Sequence, residues 1–439
     1  MQTIISNHDA GYALEIIRKI CKEAGPGLPG SSQERERALM IQEELESHLG
    51  SENVTAEEFK LAPWAFISSY PISASLMLLS ALLNISADHI TGTMAFLSTL
   101  TALLLSLCAP LFFLVEFVLG NEFIDPLFRK KRSVNVIGTL RKPGTKKVRR
   151  LLIISGHHDS APENTWLRIL GYGFFILSGT FFIGLITTLV MNTIQFAGLI
   201  SGNNGISQFG TIGPGLMIYP VVPSFIFAFF FYRGRKYGGV VPGAADNLSA
   251  SALVVALCRY LVNHPSCIPD ETEIRFISFG SEEAGCRGSK RYVRRHLDEL
   301  KLLDTRQLNI ETVAYPLITI LTSDINGTVK NSPELIKNLT SAAERSGVPY
   351  KVKPAYLGVS NDSGPFSQAG IKAATLLSFK MPQQFVAFYH QKWDVPENLT
   401  LDPLCNMLRL SLEWLRAAGD YKKKSGTENQ QDSIQVSQI

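Results

Sequence analysis

The stretch Leu151-Leu152-Ile153-Ile154-Ser155-Gly156-His157-His158-Asp159-Ser160 sets the fold class of this chain. From Leu151 to Ser155 it carries no charge and no polar alternation, the pattern of a strand covered on both faces rather than one with a wet side. Two imidazoles, a carboxylate and a hydroxyl follow at once. In open α/β sheets ligands bind at the carboxyl ends of such strands, which makes residues 157–159 candidates for chemistry.

On either side of this run, strands and helices alternate. Apolar periodicity predicts helices at 10–23, 32–49, 248–262, 289–300, 333–346 and 403–418, and strands at 133–140, 274–279, 307–313, 317–321 and 373–379. The rhythm predicts an α/β/α sandwich with a mixed, largely parallel sheet.

The chain has 439 residues, 46% hydrophobic and only 18% charged, with a mean hydropathy of +0.11. Charges are scarcer than the ~25% usual in soluble proteins, so the apolar excess must be concentrated somewhere. It lies in two insertions. Residues 61–87 and 90–115 carry no charge, and none falls between Ile169 and Tyr232. A buried core helix needs only ~10 to 14 apolar residues, whereas a bilayer crossing needs ~20, so these runs predict four transmembrane helices in two hairpins. Glu116, near the end of the second span, is expected to reach the interface or pair there. The loops at 84–91 and 192–214 lack Lys and Arg, while the opposite ends carry Arg129-Lys130-Lys131-Arg132, Arg168 and Arg233-Gly234-Arg235-Lys236. That bias predicts a multi-pass membrane protein whose catalytic part faces the cytoplasm.

The expected organisation is a catalytic domain in three pieces (1–65, 121–166 and 235–420), hairpins at 66–120 and 167–234, and a disordered polar tail at 421–439. A net charge of +4 is too small to indicate nucleic acid as a partner. Six cysteines without a Cys-x-x-Cys pair indicate neither a disulfide framework nor a thiolate zinc site. The N-terminus lacks the basic-then-apolar order of a cleaved export signal. Six Asn-x-Ser/Thr triplets are read as chance, because one of them, at Asn247, lies inside a chemical motif.

Five short segments follow strands or open loops: Ser155 to Ser160, Gly243-Ala244-Ala245-Asp246-Asn247, Gly280-Ser281-Glu282-Glu283-Ala284-Gly285, Asn309-Ile310-Glu311-Thr312 and Phe388-Tyr389-His390. Together they supply the imidazole and carboxylate donors of a hydrolytic zinc site. Each alone has a plainer explanation: a structural histidine, a helix N-cap at Asp246-Asn247, a solvated acidic turn at Glu282-Glu283.

In this order the segments resemble the di-zinc exopeptidases of the aminopeptidase Y and glutamate carboxypeptidase type, metallopeptidase family twenty-eight. The resemblance begins at the 25–30 loop and fails over the hydrophobic insertions. It implies two zinc ions, His157 and Glu311 holding one, Glu283 and His390 the other, and Asp246 bridging both. It also implies Glu282 as catalytic base, Asp159 as the carboxylate orienting His157, and a cis peptide between Asp246 and Asn247. Glu311 fits the fourth ligand better than Asp324, by its context and its distance from Glu283. Ser360 and Asp362, ahead of Gly364-Pro365-Phe366, resemble the substrate-side loop, and an Asx turn is the other reading. His158 is expected to point to the other strand face and pack. Asp394 reads first as the start of the last helix and second as an outer partner of His390.

The activity so implied is a membrane-anchored aminopeptidase in which Glu282 takes the proton of a water shared by two zinc ions, with a peptide as substrate and the lipid bilayer as partner. Three readings stand beside it: a glutaminyl cyclase-like enzyme with one zinc, a non-catalytic receptor-like module, and a transporter built on the four spans. Because 157–159 and Asp246 must meet, the insertion between them crosses the bilayer an even number of times. With nine residues between Asp159 and Ile169, the site should lie within ~35 Å of the membrane surface.

Overall fold

The computed structural model describes residues 5–237 and 239–435, with the side chains of 88, 211–217, 229–237 and 419–435 outside the description. Ten strands and thirteen helices are present among these residues. The strands are β1 (Val54–Leu61), β2 (Lys131–Arg141), β3 (Arg150–His157), β4 (Thr272–Phe279), β5 (Asp304–Val313), β6 (Ile318–Leu321), β7 (Ser323–Asp324), β8 (Val329–Lys330), β9 (Tyr350–Lys353) and β10 (Lys372–Ser378). The helices before the second insertion's end are α1 (Asn7–Glu23), α2 (Ser32–Leu49), α3 (Ala65–Ser86), α4 (Thr93–Phe113), α5 (Thr165–Leu170), α6 (Gly173–Ser201) and α7 (Asn204–Tyr237). After it come α8 (Ser249–Asn263), α9 (Arg287–Leu302), α10 (Pro333–Ser346), α11 (Ser363–Gln368), α12 (Gln383–Ala387) and α13 (Leu401–Gln435).

Eight strands form one mixed sheet in the order β1-β2-β4-β3-β5-β10-β6-β9, with β4, β3, β5 and β10 mutually parallel at its centre. The uncharged run of β3 explains this placement. Leu152 and Ile154 pack with α1, α2, α8 and α13 on one face, and Leu151 and Ile153 pack with α9 and α11 on the other. An alternating strand could not cover both. The layers are thus the expected α/β/α sandwich.

Four strands, β1, β9 and the two-residue β7 and β8, were not legible from periodicity. β1 (Val-Thr-Ala-Glu-Glu-Phe-Lys-Leu) sits at the sheet edge, where only Val54, Phe59 and Leu61 are buried, Glu58 and Lys60 face solvent and Glu57 pairs with Arg295 and His296 of α9. The last helix runs to Gln435 and so passes residue 420, where the sequence reading ended the domain.

Three helical segments of the insertions are long and apolar enough to cross a membrane: Ala65–Ser86, Thr93–Val118 and Gly173–Ser201. Their apolar windows are only 39%, 28% and 22% buried, so most of that surface faces outward. The fourth expected span falls in α7, where the apolar segment with described side chains is Ile218–Ala228. The basic run at 233–236 lies outside the described side chains. Ala244–Asn263 also meets the length and composition criterion, but 89% of its window is buried beneath the sheet, which makes it a core helix. Inside the hairpins Asn84 Nδ2 donates to Asn192 Oδ1 at 2.9 Å and Asn192 Nδ2 to Ser80 Oγ at 2.8 Å, tying the two together through amides that no lipid could satisfy.

Hairpin one is locked to the sandwich by charge. Glu116 is fully buried, in a π-turn at Leu114–Val118, and lies 3.6 Å from Arg287 at the start of α9. Arg287 also meets Asp125 and Glu122, each at 2.8 Å. Burial lowers the Arg287 pKa to about 10 and raises that of Asp125 to about 6. Arg287→Met would leave three acidic side chains without this cation, and losing one partner of a buried ion pair costs about 3–5 kcal/mol. The variant is expected to unfold at clearly lower temperature in detergent. A melting point equal to that of the parent would show that the cluster holds nothing.

Candidate metal centre

The site assembles at the carboxyl ends of the parallel strands. His157 is the last residue of β3, Glu282 and Glu283 follow β4, Glu311 is near the end of β5, and His390 lies on the loop after β10. Asp246 comes from a buried, non-helical turn before α8, and its peptide bond to Asn247 is cis.

His157 Nε2 lies 3.5 Å from Asp246 Oδ1 and 3.6 Å from Glu311 Oε1. His390 Nε2 lies 3.2 Å from Asp246 Oδ2 and 3.1 Å from Glu283 Oε1. These side chains fall into two donor sets, His157-Asp246-Glu311 and Asp246-Glu283-His390, each with its ligand atoms within 4.8 Å of one another and Asp246 in both. Glu282 stands beside them, its Oε2 3.6 Å from His157 Nε2, and forms a third such set with His157 and Glu283.

The electrostatics call for cations. Burial pushes the carboxyls of Glu282 and Glu283 upward and that of Glu311 up to about 7, each opposed by a nearby imidazole. Burial would raise Asp246 too, but hydrogen bonding to His157 and His390 holds it well below the usual range. Burial would lower both imidazoles, yet the surrounding carboxylates carry His157 well above its ordinary value and His390 to about 10. Glu283 Oε1, Glu311 Oε2 and His390 Nε2 are buried without a hydrogen-bond partner, although Glu283 and His390 approach closely. Orphaned donors of mixed N and O character, converging in pairs, fit zinc.

The supporting contacts explain how one carboxylate organises the centre. Asp159 lies 3.2 Å from His157 Nδ1, and its two oxygens accept from the backbone N–H groups of Glu282 and Glu283 at 2.9 and 3.0 Å. It therefore orients a ligand and the Glu282-Glu283 turn together. Asp394 accepts from the backbone N–H groups of Ala245 and Asp246 at 2.6 and 3.1 Å. It neither starts the final helix, which begins at Leu401, nor hydrogen-bonds His390; it clamps the backbone behind Asp246. Asn247 joins the same turn to β5, donating to the Ile310 carbonyl and accepting from Thr312 N–H, both at 3.1 Å.

Other side chains fall away from the centre. His158 points to the opposite strand face, 2.8 Å from Ser278 Oγ, and burial pushes its pKa down to about 3. Asp324 is buried in a separate knot, accepting from Ser363 Oγ at 2.5 Å and Asn361 N–H at 2.7 Å. Asp362 does not line the cavity: it accepts from Ser289 Oγ at 2.5 Å inside the core, whereas Ser360 and its neighbour Asn361 do line it.

Two buried charges were missed. Glu34 accepts from Gly30 N–H and from Ser281 Oγ, both at 2.6 Å, so it braces the residue before Glu282, which has a positive φ of 56°. Arg37 donates to the carbonyls of Gly25, His158 and Pro242 at 2.7, 3.1 and 2.6 Å. It staples three loops around the site. A signal was present: Glu34 and Arg37 share the spacing of Ala38, Ile41 and Leu45, so two charges sit on the buried face of α2.

A cavity of about 350 Å³ opens onto the centre and is lined by Asp246, Glu282, Glu283, Glu311 and His390.

This sandwich, with two donor sets sharing one carboxylate at its strand ends, defines an α/β protein of the zinc exopeptidase class. The model of peptidase family M28 matches residues 232–415. That segment holds Asp246, Glu282, Glu283, Glu311 and His390, and the fold brings His157 and Asp159 to them from outside it. The aminopeptidase YwaD of Bacillus subtilis (strain 168) is 28% identical over 200 residues, 45% of this chain and 42% of that protein. The match thus spans less than half the length of this relative. Among solved structures, a zinc aminopeptidase from Bacillus subtilis superposes with a TM-score of 0.51 at 16% identity, over 93% of this chain and 95% of its own. A glutaminyl cyclase from an Acidobacteriales bacterium superposes with a TM-score of 0.53 at 13% identity, over 96% and 98%. Both likenesses concern the fold.

Proposed function

We propose that the protein is a membrane-inserted, zinc-dependent aminopeptidase that releases N-terminal residues from short peptides or related amides. What supports this reading is the convergence of His157, Asp246, Glu283, Glu311 and His390 into two donor sets sharing Asp246, with Glu282 beside them. His157 and Glu311 would hold one ion, Glu283 and His390 the other, and Asp246 both. When bound, zinc polarises a scissile carbonyl and makes the attacking water acidic.

The chain's own residues do the rest. Glu282 takes a proton from the attacking water and returns it to the leaving nitrogen. Asp159 fixes the direction of that carboxylate through the backbone of residue 282 and holds the His157 ring at the same time. No Lys or Arg lines the cavity among the described residues, so a substrate's free carboxylate would meet no cationic side chain, whereas a free amine would meet carboxylates. That favours an amino end over a carboxyl end. The absence of Lys and Arg from the loops at 84–91 and 192–214 favours a cytoplasmic catalytic domain.

The purified protein is expected to release leucine from leucyl dipeptides, to spare their N-acetylated counterparts, to stop with chelator and to recover with Zn²⁺. Chelator-insensitive turnover, or equal rates on blocked peptides, would overturn the proposal. One zinc per active chain instead of two would move the reading to a glutaminyl cyclase-like enzyme.

A further inference from the structure

The cavity at the metal centre does not end at the catalytic sandwich. Its wall continues through Phe66, Tyr70 and Phe117 of the first hairpin and Phe174, Phe182 and Phe227 of the second. These rings pack against one another: Tyr70 meets Phe117 with centroids 5.0 Å apart, and Phe174 meets Phe227 at 5.8 Å. One continuous space therefore leads from Glu282 and His390 into the apolar helices. Phe182 is nine residues beyond the start of α6, about 13 Å along that helix, so the far end lies within the uncharged insertion.

An occupant of that inner part must be apolar, and its shape is restricted. Of the hairpin residues on the wall, Tyr70 and Ser178 bring the polar side-chain atoms, and the Ser178 hydroxyl already donates to the Phe175 carbonyl at 3.1 Å. An extended peptide threaded there would leave backbone N–H and C=O groups with too few partners, at several kcal/mol for each such group in an apolar setting. A single alkyl chain has no such groups to satisfy, and the cavity of about 350 Å³ leaves room for a small head group with a chain of several carbons running among the rings.

We propose that the substrate is an amphiphilic amide: an amino acid with a free amine, joined through its carboxyl to an amine that bears one unbranched alkyl chain of medium length. The chain lies between the hairpins and the scissile amide at the metal centre. This rests on the aminopeptidase reading and specifies its substrate. In the reaction water adds across the C–N bond, OH to the acyl carbon and H to nitrogen, and the products are the free amino acid and the long-chain amine. The hairpins then serve as the binding wall as well as the anchor.

The test uses the full-length protein loaded with zinc in phosphatidylcholine nanodiscs, with leucine ethylamide and leucine octylamide as probes and leucine release as readout. The parent is expected to favour the octylamide at least fiftyfold in kcat/KM. Ser178→Trp fills the slot and is expected to cut the octyl-to-ethyl ratio at least tenfold; comparing the ratio between proteins cancels partitioning of the probe into lipid. Phe182→Ala lengthens the slot and is expected to move the optimum to a longer chain, which keeps the test decisive if the tryptophan variant does not fold. Equal ratios in parent and both variants, with leucine still released from the ethylamide, would overturn the lipid-like substrate and leave the aminopeptidase intact. No leucine from either probe, nor from a leucyl dipeptide, would overturn both.

Discussion

Glu282→Gln is expected to lower kcat by about 10²–10⁴, the usual contribution of a positioned general base, with zinc content unchanged. The substitution keeps the shape of the side chain and its backbone N–H bond to Asp159, made at 2.9 Å. It removes only the capacity to accept a proton. Glu282 is in neither donor set around Asp246, and a glutamine keeps one oxygen at its place beside His157 and Glu283, so the ions should remain. Glu283→Gln is the contrasting variant: it weakens a ligand of His390's ion and should lose metal along with rate. The two neighbours are thus separable by elemental analysis beside leucyl dipeptide hydrolysis. If Glu282→Gln kept activity within tenfold of the parent, another group would be the base, and the role given to this carboxylate would be wrong.

How much of this was written in the sequence differs from element to element. The β3 run had to be a central strand, because no solvent-facing strand tolerates Leu151 to Ile154 without a polar side chain on either face. β1 escaped notice since an edge strand buries so little that its Glu57, Glu58 and Lys60 obscure the alternation. Among site residues, the six side chains His157, Asp246, Glu282, Glu283, Glu311 and His390 stand together in the fold, although 233 positions separate the first from the last. Their order along the chain suggested the grouping; their distances come from the register of the parallel strands together with the turn that carries Asp246 and the loop that carries His390. Asp394 and Glu34 show the opposite case. Both act through backbone amides, and a carboxylate that binds a main-chain N–H has no fixed spacing from its partner in sequence. Asp362 shows a third: an acidic residue in an apparent substrate loop turned into the core, where Ser289 holds it.

Burial also sorted the apolar helices in a way that composition could not. Ala244–Asn263 and Gly173–Ser201 both pass for membrane spans by hydropathy, yet their windows are 89% and 22% buried. The difference is periodicity against packing. A helix apolar all round is either enclosed by protein or by lipid, and only its neighbours show which. α8 lies under the sheet; Ile176, Ile183 and Ile186 on α6 face outward, as lipid-contacting residues would.

Asp246→Ala is expected to reduce bound zinc from two ions to fewer than one per chain and hydrolysis of leucyl dipeptides by at least a thousandfold. The reason is geometric as well as electrostatic. Its two oxygens face different imidazoles, Oδ1 toward His157 at 3.5 Å and Oδ2 toward His390 at 3.2 Å, so no other side chain belongs to both donor sets. Its backbone N–H is held by Asp394 and the following side chain by β5, so an alanine would keep the turn and lose only the shared carboxylate. Removing it also takes away the one counter-charge within 4 Å that the two histidines share. Asp246→Asn keeps one oxygen and is expected to retain an intermediate amount of metal, since a neutral amide binds zinc less tightly than a carboxylate. Two full equivalents of zinc in Asp246→Ala would show that the ions do not share this residue, and the paired-ion site would have to be abandoned.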